Sequence, residues 1–238
     1  MRRIHNNIKN HLTMQLIAKT VILMMAFFIS IFSSTQASAR NLRWGAEGGV
    51  DISTPVNETR SAGVGFHVGL RAEYKFTSAS KGWYLSAGLG LASKPWKSTE
   101  NEIYDFIESP DGTWTGVPAG SERYDATPYY LQIPVMGGYR FPIGKKISLL
   151  VETGPYFAAG IFGKMKTTTS HEGRSHEFKD NCFSGFYNTL DCGWGLNLGL
   201  RVYDRFIISA GTKMQFNSFD ASYDNHNITY GLSVAYMF

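Results

Sequence analysis

Past residue 40 the chain repeats every two residues. In Phe66–Phe76 the apolar positions are Phe66, Val68, Leu70, Ala72, Tyr74 and Phe76, and His67, Gly69, Arg71, Glu73 and Lys75 fall between them. A two-residue period puts these sets on opposite faces of a β-strand. Trp194–Val202 splits the same way: Trp194, Leu196, Leu198, Leu200 and Val202 against Gly195, Asn197, Gly199 and Arg201. The alternation recurs near 42–52, 83–92, 129–141, 147–160, 206–216 and 227–238. Eight strands are predicted.

Two architectures produce this pattern. A soluble sandwich or lipocalin-like barrel buries the apolar face. A transmembrane barrel turns it to lipid and fills its narrow lumen with small and paired polar side chains. The second face is rich in Gly, Ala and Ser, and it carries Arg43, Glu47, Asp51, His67, Arg71, Glu73, Arg140, Glu152, Arg201 and Lys213. A solvent face has no reason to favour glycine. The apolar face carries no charge in these segments, as lipid exposure requires, because Arg or Lys at the midplane costs about 2–4 kcal/mol.

Aromatic residues gather at the segment ends. Trp44, Tyr74, Phe76, Trp83, Tyr139, Phe141, Tyr236 and Phe238 mark one rim, and Phe66, Tyr129, Phe157, Trp194 and Phe216 the other. Two interfacial girdles are expected. Connections at 77–81, 142–145 and 203–205 are short, whereas 94–126 and 161–187 are long and polar. That asymmetry fits short periplasmic turns and longer outer loops. The fold expected is all-β: an eight-stranded antiparallel up-and-down transmembrane β-barrel over residues 40–238. The last segment, Tyr230–Phe238, must then close on the first, since an open edge does not survive in hydrocarbon.

Composition adds an address. The formal net charge is +4. The first 39 residues hold Arg2, Arg3, Lys9 and Lys19 and no acid, which leaves 19 Lys+Arg against 19 Asp+Glu. The remainder is neutral, so nucleic acid is not an expected partner. Lys19, the apolar run Val21–Phe32 and Ala37-Ser38-Ala39 have the layout of a signal peptide cleaved between Ala39 and Arg40. Met14 is an alternative start within it. Export to the outer membrane of a Gram-negative bacterium follows, and there Cys182 and Cys192 could form a disulfide or stay as two thiols.

Pro134 and Pro155 interrupt two adjacent strands. Counting from 142–145 puts Pro134 opposite Glu152 or Gly154 and Pro155 opposite Leu131 or Ile133. A bulge there, or a lateral opening into the membrane, would accommodate the lost donors. At this hairpin the chain resembles the PorT-like outer-membrane β-barrel family of Bacteroidetes-type bacteria. The resemblance rests on "YYLQIPVMGGYRF" (Tyr129–Phe141), "GPYFAAGIFG" (Gly154–Gly163) and the aromatic-ended last strand. It implies an eight-stranded OmpX/OmpA-like barrel, a secretion-accessory role by analogy with the namesake, and no catalytic position.

Chemistry-bearing patterns are sparse. His171 and His176 stand among Ser170, Glu172, Ser175, Glu177 and Asp180. Their five-residue spacing matches no standard metal motif, and a solvated loop offers no orienting partner for a nucleophile. No catalytic residue, metal or cofactor is assigned. His67 is expected to be a satisfied lumen residue, and the lumen charges an ion-pair plug. Around the Pro110-Asp111-Gly112 turn signal, Trp96, Tyr104, Phe106 and Trp114 suggest a protruding hairpin with an interaction surface. The function expected is structural, adhesive or secretion-accessory, without enzymatic activity. The alternatives are a lipid A-modifying enzyme and a small solute channel. Expected partners are outer-membrane lipid and lipopolysaccharide, proteins met through the outer loops, and the barrel-assembly machinery.

Overall fold

The computed structural model describes residues 41–56, 60–76, 81–108, 112–171, 174–183, 188–217 and 226–238. The expected signal segment, with Ala39 and Arg40, lies outside them. In chain order the strands are β1 (Leu42–Pro55), β2 (Arg60–Lys75), β3 (Gly82–Ser93), β4 (Trp96–Ser98), β5 (Asn101–Glu108) and β6 (Trp114–Pro142). They continue with β7 (Ile147–His171), β8 (Arg174–Asn181), β9 (Leu190–Val202), β10 (Phe206–Gln215) and β11 (Asn227–Met237). All pairings are antiparallel.

Eight of these form a ring in the order β1, β2, β3, β6, β7, β9, β10, β11. It closes where β11 pairs with β1, from Gly45 opposite Met237 to Pro55 opposite Asn227. The eight sequence segments are these eight strands. Their alternation sends Val68, Leu198, Ile208 and Leu232 outward, each more than half exposed, while Glu73, Arg201 and Ala235 on the other face are at most 2% exposed. Aromatic rings meet along the turn-side rim, as in Trp83–Tyr139 at 4.9 Å and Phe206–Tyr236 at 5.1 Å. At the opposite rim Tyr129 stacks on Phe162 at 4.6 Å.

A tilted membrane-spanning strand needs about 9–11 residues, but β6 has 29 and β7 has 25. Their ladder starts at Pro142 opposite Ser148 and runs on to Gly120 opposite His171. Beyond the ring, β5 pairs with the first part of β6, from Trp114 to Glu122, and β8 with the last part of β7. The two long connections are therefore largely strand and form a four-stranded sheet in the order β5-β6-β7-β8. A hairpin through β5 and β6 is foreshadowed by the Pro110–Gly112 turn signal. The β7–β8 hairpin is not, because its Thr, Ser and charged residues show no apolar face.

The proline register differs from the sequence count. Pro134 faces Tyr156, and Glu152 faces Gly138. The turn extends through Lys146, with Ile143 N and Gly144 N both donating to Ile147 O at 3.0 and 3.1 Å, and this shifts the ladder. The bulge lies between Tyr129 and Tyr130, not at the prolines. Beside Pro134 the β3–β6 pairing lapses at Gly88 and Leu89 without a register change.

Candidate functional site

The ring interior is layered. At the turn end Tyr84, Leu150, Ile207, Ala235 and Met237 pack together. At the outer end Trp96, Tyr130, Tyr156, Met165, Cys182 and Phe183 close the bore. Polar and charged side chains fill the space between.

The main cluster centres on Glu73, fully buried between two arginines. Arg71 Nη2 donates to Glu73 at 3.0 Å, and Arg201 Nη2 contacts both Glu73 carboxylate oxygens. Arg71 also pairs with Glu152, and with Glu47 at 3.3 Å. Tyr84 Oη donates to Glu152 at 2.9 Å and Ser86 Oγ at 3.2 Å. Nearer the turns, Arg140 donates to Ser148 at 3.1 Å and pairs with Asp204. Burial raises the Asp204 carboxyl, but the charge and hydrogen bond of Arg140 prevail and hold it below its ordinary range. Tyr203 and Asp204 form this turn at φ of 52° and 62°, a backbone region that side chains other than Asn, Asp and Gly visit rarely.

Farther up, His67 lies between Asp51 and Ser233, with Nδ1 at 2.9 Å from Asp51 Oδ2 and Nε2 at 3.0 Å from Ser233 Oγ. Lys213 Nζ donates to Gln132 at 3.4 Å. Above them Lys94 pairs with buried Asp191, which also accepts from Tyr156 Oη at 3.1 Å. The Lys94 ammonium lies 5.0 Å from the Tyr156 ring centroid.

The structure thus brings Glu47, Asp51, His67, Arg71, Glu73, Arg140, Glu152 and Arg201 into bonded contacts. Arg43 stands opposite Glu73 in register, outside the ion pairs described. Sequence reasoning missed Lys94, Asp191, Tyr84, Tyr156, Asp204 and Ser233. Lys94 sits where β3 breaks and so escapes the alternation. Ser233 falls on the inward face of "YGLSVAYMF" and was readable only as a small residue.

On the outer sheet Tyr104, Phe106 and Trp114 are 48, 68 and 64% exposed, whereas Trp96 is 5% exposed. Trp96 leaves the expected surface because its ring packs in the outer plug, with the Arg60 guanidinium 4.2 Å from its centroid. His171 lies 3.6 Å from Asp105 and links β7 to β5. It ends a tight hairpin in which Thr169 faces His176, so the two histidines occupy an ordered ladder. Among the described residues no group of three or more His, Cys, Asp or Glu is placed to hold a metal.

The cysteines are free thiols, which corrects the disulfide alternative. Cys192 faces Phe157 on β7, while Cys182 N donates to Gly163 O. Six residues of strand separate those positions, roughly 20 Å at about 3.4 Å per residue, far beyond the ~7 Å a disulfide tolerates. Burial pushes the Cys182 thiol up to about 11.

Comparison with known proteins places this geometry. A family model described as outer membrane protein β-barrel domain matches residues 32–221. No curated protein sequence matches the chain. Solved structures with a similar fold include Ail, the attachment invasion locus protein of Yersinia pestis, at 16% identity, covering 82% of this chain and 98% of that one, TM-score 0.37. Neisserial surface protein A is similar at 11% identity, with 82 and 97% coverage and TM-score 0.37. The outer membrane enzyme PagL is similar at 12% identity, with 80 and 98% coverage and TM-score 0.36.

Proposed function

Because the chain belongs to the outer membrane protein β-barrel domain family, we propose that it is a surface-recognition protein: the ring anchors it in the outer membrane and the β5-β6-β7-β8 sheet engages a macromolecular partner. The observation that carries this reading is the sheet itself. It continues the ring past one rim and presents Tyr104, Phe106 and Trp114 on one face of the β5–β6 hairpin, where Trp114 opposes Glu108 and Gly116 opposes Phe106. Exposed aromatic groups of this kind are typical anchors of partner surfaces. Buried Arg201, Glu73, Arg71 and Glu152 occupy the bore, which favours recognition over solute passage.

Signal cleavage between Ala39 and Arg40, delivery by the barrel-assembly machinery, contact with lipopolysaccharide and PorT-like, secretion-accessory membership belong to the same proposal. A photo-crosslinking residue placed at Phe106 or Trp114 on living cells tests it. Capture of one protein or polysaccharide species at both sites, and not from lipid-facing Leu198, is the expected result. Equal capture patterns at all three positions would sink it.

A further inference from the structure

On the outside of the ring, the outer end of β7 carries a notch. β9 pairs with β7 only as far as Leu190 opposite Ala159, and β8 only from Asn181 opposite Lys164. After β8 the chain turns into the bore, where Cys182 and Phe183 join the outer plug. A cavity of about 740 Å³ opens here, with Tyr129, Phe162, Lys164 and Lys179 along its lining. Directly opposed residues share one face of a sheet. Tyr129 faces Phe162, Thr127 faces Lys164, and Lys166 faces Lys179, so all of these side chains stand on the face that meets lipid lower down. Asp180 also borders the cavity, but it faces the plug residue Met165 and so belongs to the other face.

The cavity is apolar below and basic above. Tyr129 stacks on Phe162 at 4.6 Å in the outer aromatic rim. Lys164 and the Lys166–Lys179 rung lie two and four residues farther along β7, roughly 7 and 14 Å at about 3.4 Å per residue. A strand tilt of about 45° turns these into roughly 5 and 10 Å of height. Lys164 therefore stands inside a headgroup layer of about 5–8 Å, and Lys179 at its upper edge. The neighbouring acids on this face are already engaged, Glu177 with Lys166 at 2.6 Å and Asp125 with Arg123 at 3.5 Å. Lys164 and Lys179, both exposed, form no salt bridge among the described residues.

We propose that this cavity binds a phosphorylated lipid of the outer leaflet, its phosphate between the Lys164 and Lys179 ammonium groups and an acyl chain on Phe162 and Tyr129. The two lysines occupy diagonal positions of adjacent strands, about 7–8 Å apart at the backbone. Their flexible stems let both ammonium groups converge on the oxygens of one phosphate, as charge-assisted hydrogen bonds. The methylene stems remain on the aromatic surface below. The lipid reaches the site by diffusing in the leaflet that surrounds the ring, so it crosses no wall and enters no bore. The inference deepens the lipopolysaccharide contact proposed above and rests on that reading, while the partner of the β5-β6-β7-β8 sheet is independent of it.

The test titrates the folded protein in detergent with bisphosphorylated lipid A and reads bound lipid by native mass spectrometry. Wild type should retain lipid A, and Lys164→Met/Lys179→Met should bind it about 100-fold more weakly, about tenfold for each charged hydrogen bond lost. Lys97→Met is the control. Lys97 faces Asp125, which faces Lys166, so it shares their row of the outward face but stands beyond the cavity, and its variant should bind as wild type does. Dephosphorylated lipid A should bind as weakly as the double variant binds lipid A, and inorganic phosphate should not displace the lipid. Heat-dependent gel migration checks that each variant retains its ring. Wild type that retains no lipid A would overturn the contact and the site together. Undiminished binding in the double variant, an equal loss in Lys97→Met, equal binding of the dephosphorylated lipid, or displacement by inorganic phosphate would each overturn the site alone.

Discussion

Glu73→Gln is the sharpest perturbation of the lumen. It keeps the side-chain volume and removes one charge from a site where Glu73 is 0% and Arg201 is 2% exposed. Arg71 retains Glu152 and Glu47. Among the described residues Glu73 is the only acidic side chain paired with Arg201, and Arg201 Nε already lacks a partner. Breaking one side of a buried ion pair costs about 3–5 kcal/mol, because the remaining charge is stranded. Glu47→Gln is the control: its side chain is 27% exposed and holds a 3.3 Å contact to Arg71 and a looser one of 3.9 Å to His67, so about 1 kcal/mol or less is expected. Urea unfolding in lipid vesicles, followed by tryptophan fluorescence and band shift, gives both values. The double variant Glu73→Leu/Arg201→Met should recover most of the loss, since apolar replacement of both partners is often neutral. Equal midpoints for Glu73→Gln and Glu47→Gln would refute the reasoning.

Further outcomes follow from the same contacts. Leu198→Lys, on the lipid-facing surface at the middle of β9, should lower stability by about 2–4 kcal/mol in vesicles, whereas Asn197→Lys one residue away should follow lumen crowding and not bilayer depth; varying lipid thickness separates the two. Asp204→Asn should destabilise at neutral pH. Its carboxyl is held low in the folded state, so its contribution is present above the ordinary value near 4 and disappears as pH falls through the lowered one. Wild type and variant should therefore converge in acid unfolding curves. In the folded protein Cys182 should resist maleimide at pH 7–8, because burial holds its thiol at about 11, and it should react once unfolded.

The ring was legible because lipid on one side and a narrow bore on the other impose the same two-residue period on every strand. Val68, Leu198 and Leu232 could not be elsewhere, nor could Glu73 and Arg201. The outer sheet was only half legible. Tyr104 and Phe106 announce one hairpin, but "TTTSH" pairs through backbone bonds that no hydrophobic pattern reports. Trp96 was misplaced because sequence shows an aromatic residue in a polar stretch without showing Arg60 and Met165 around it. The His67 arrangement was hidden for a different reason: its three residues come from β1, β2 and β11, and only closure of the last strand on the first brings Ser233 within reach.

Surface recognition requires one orientation of the barrel: turns such as 143–146 inside, the β5-β6-β7-β8 sheet outside. In a background of Cys182→Ser and Cys192→Ser, single cysteines at Thr115 and at Gly144 report it directly. A membrane-impermeant maleimide on intact cells should label Thr115→Cys and leave Gly144→Cys unreacted until the outer membrane is opened. Labelling of Gly144→Cys on intact cells, with Thr115→Cys protected, would contradict the account.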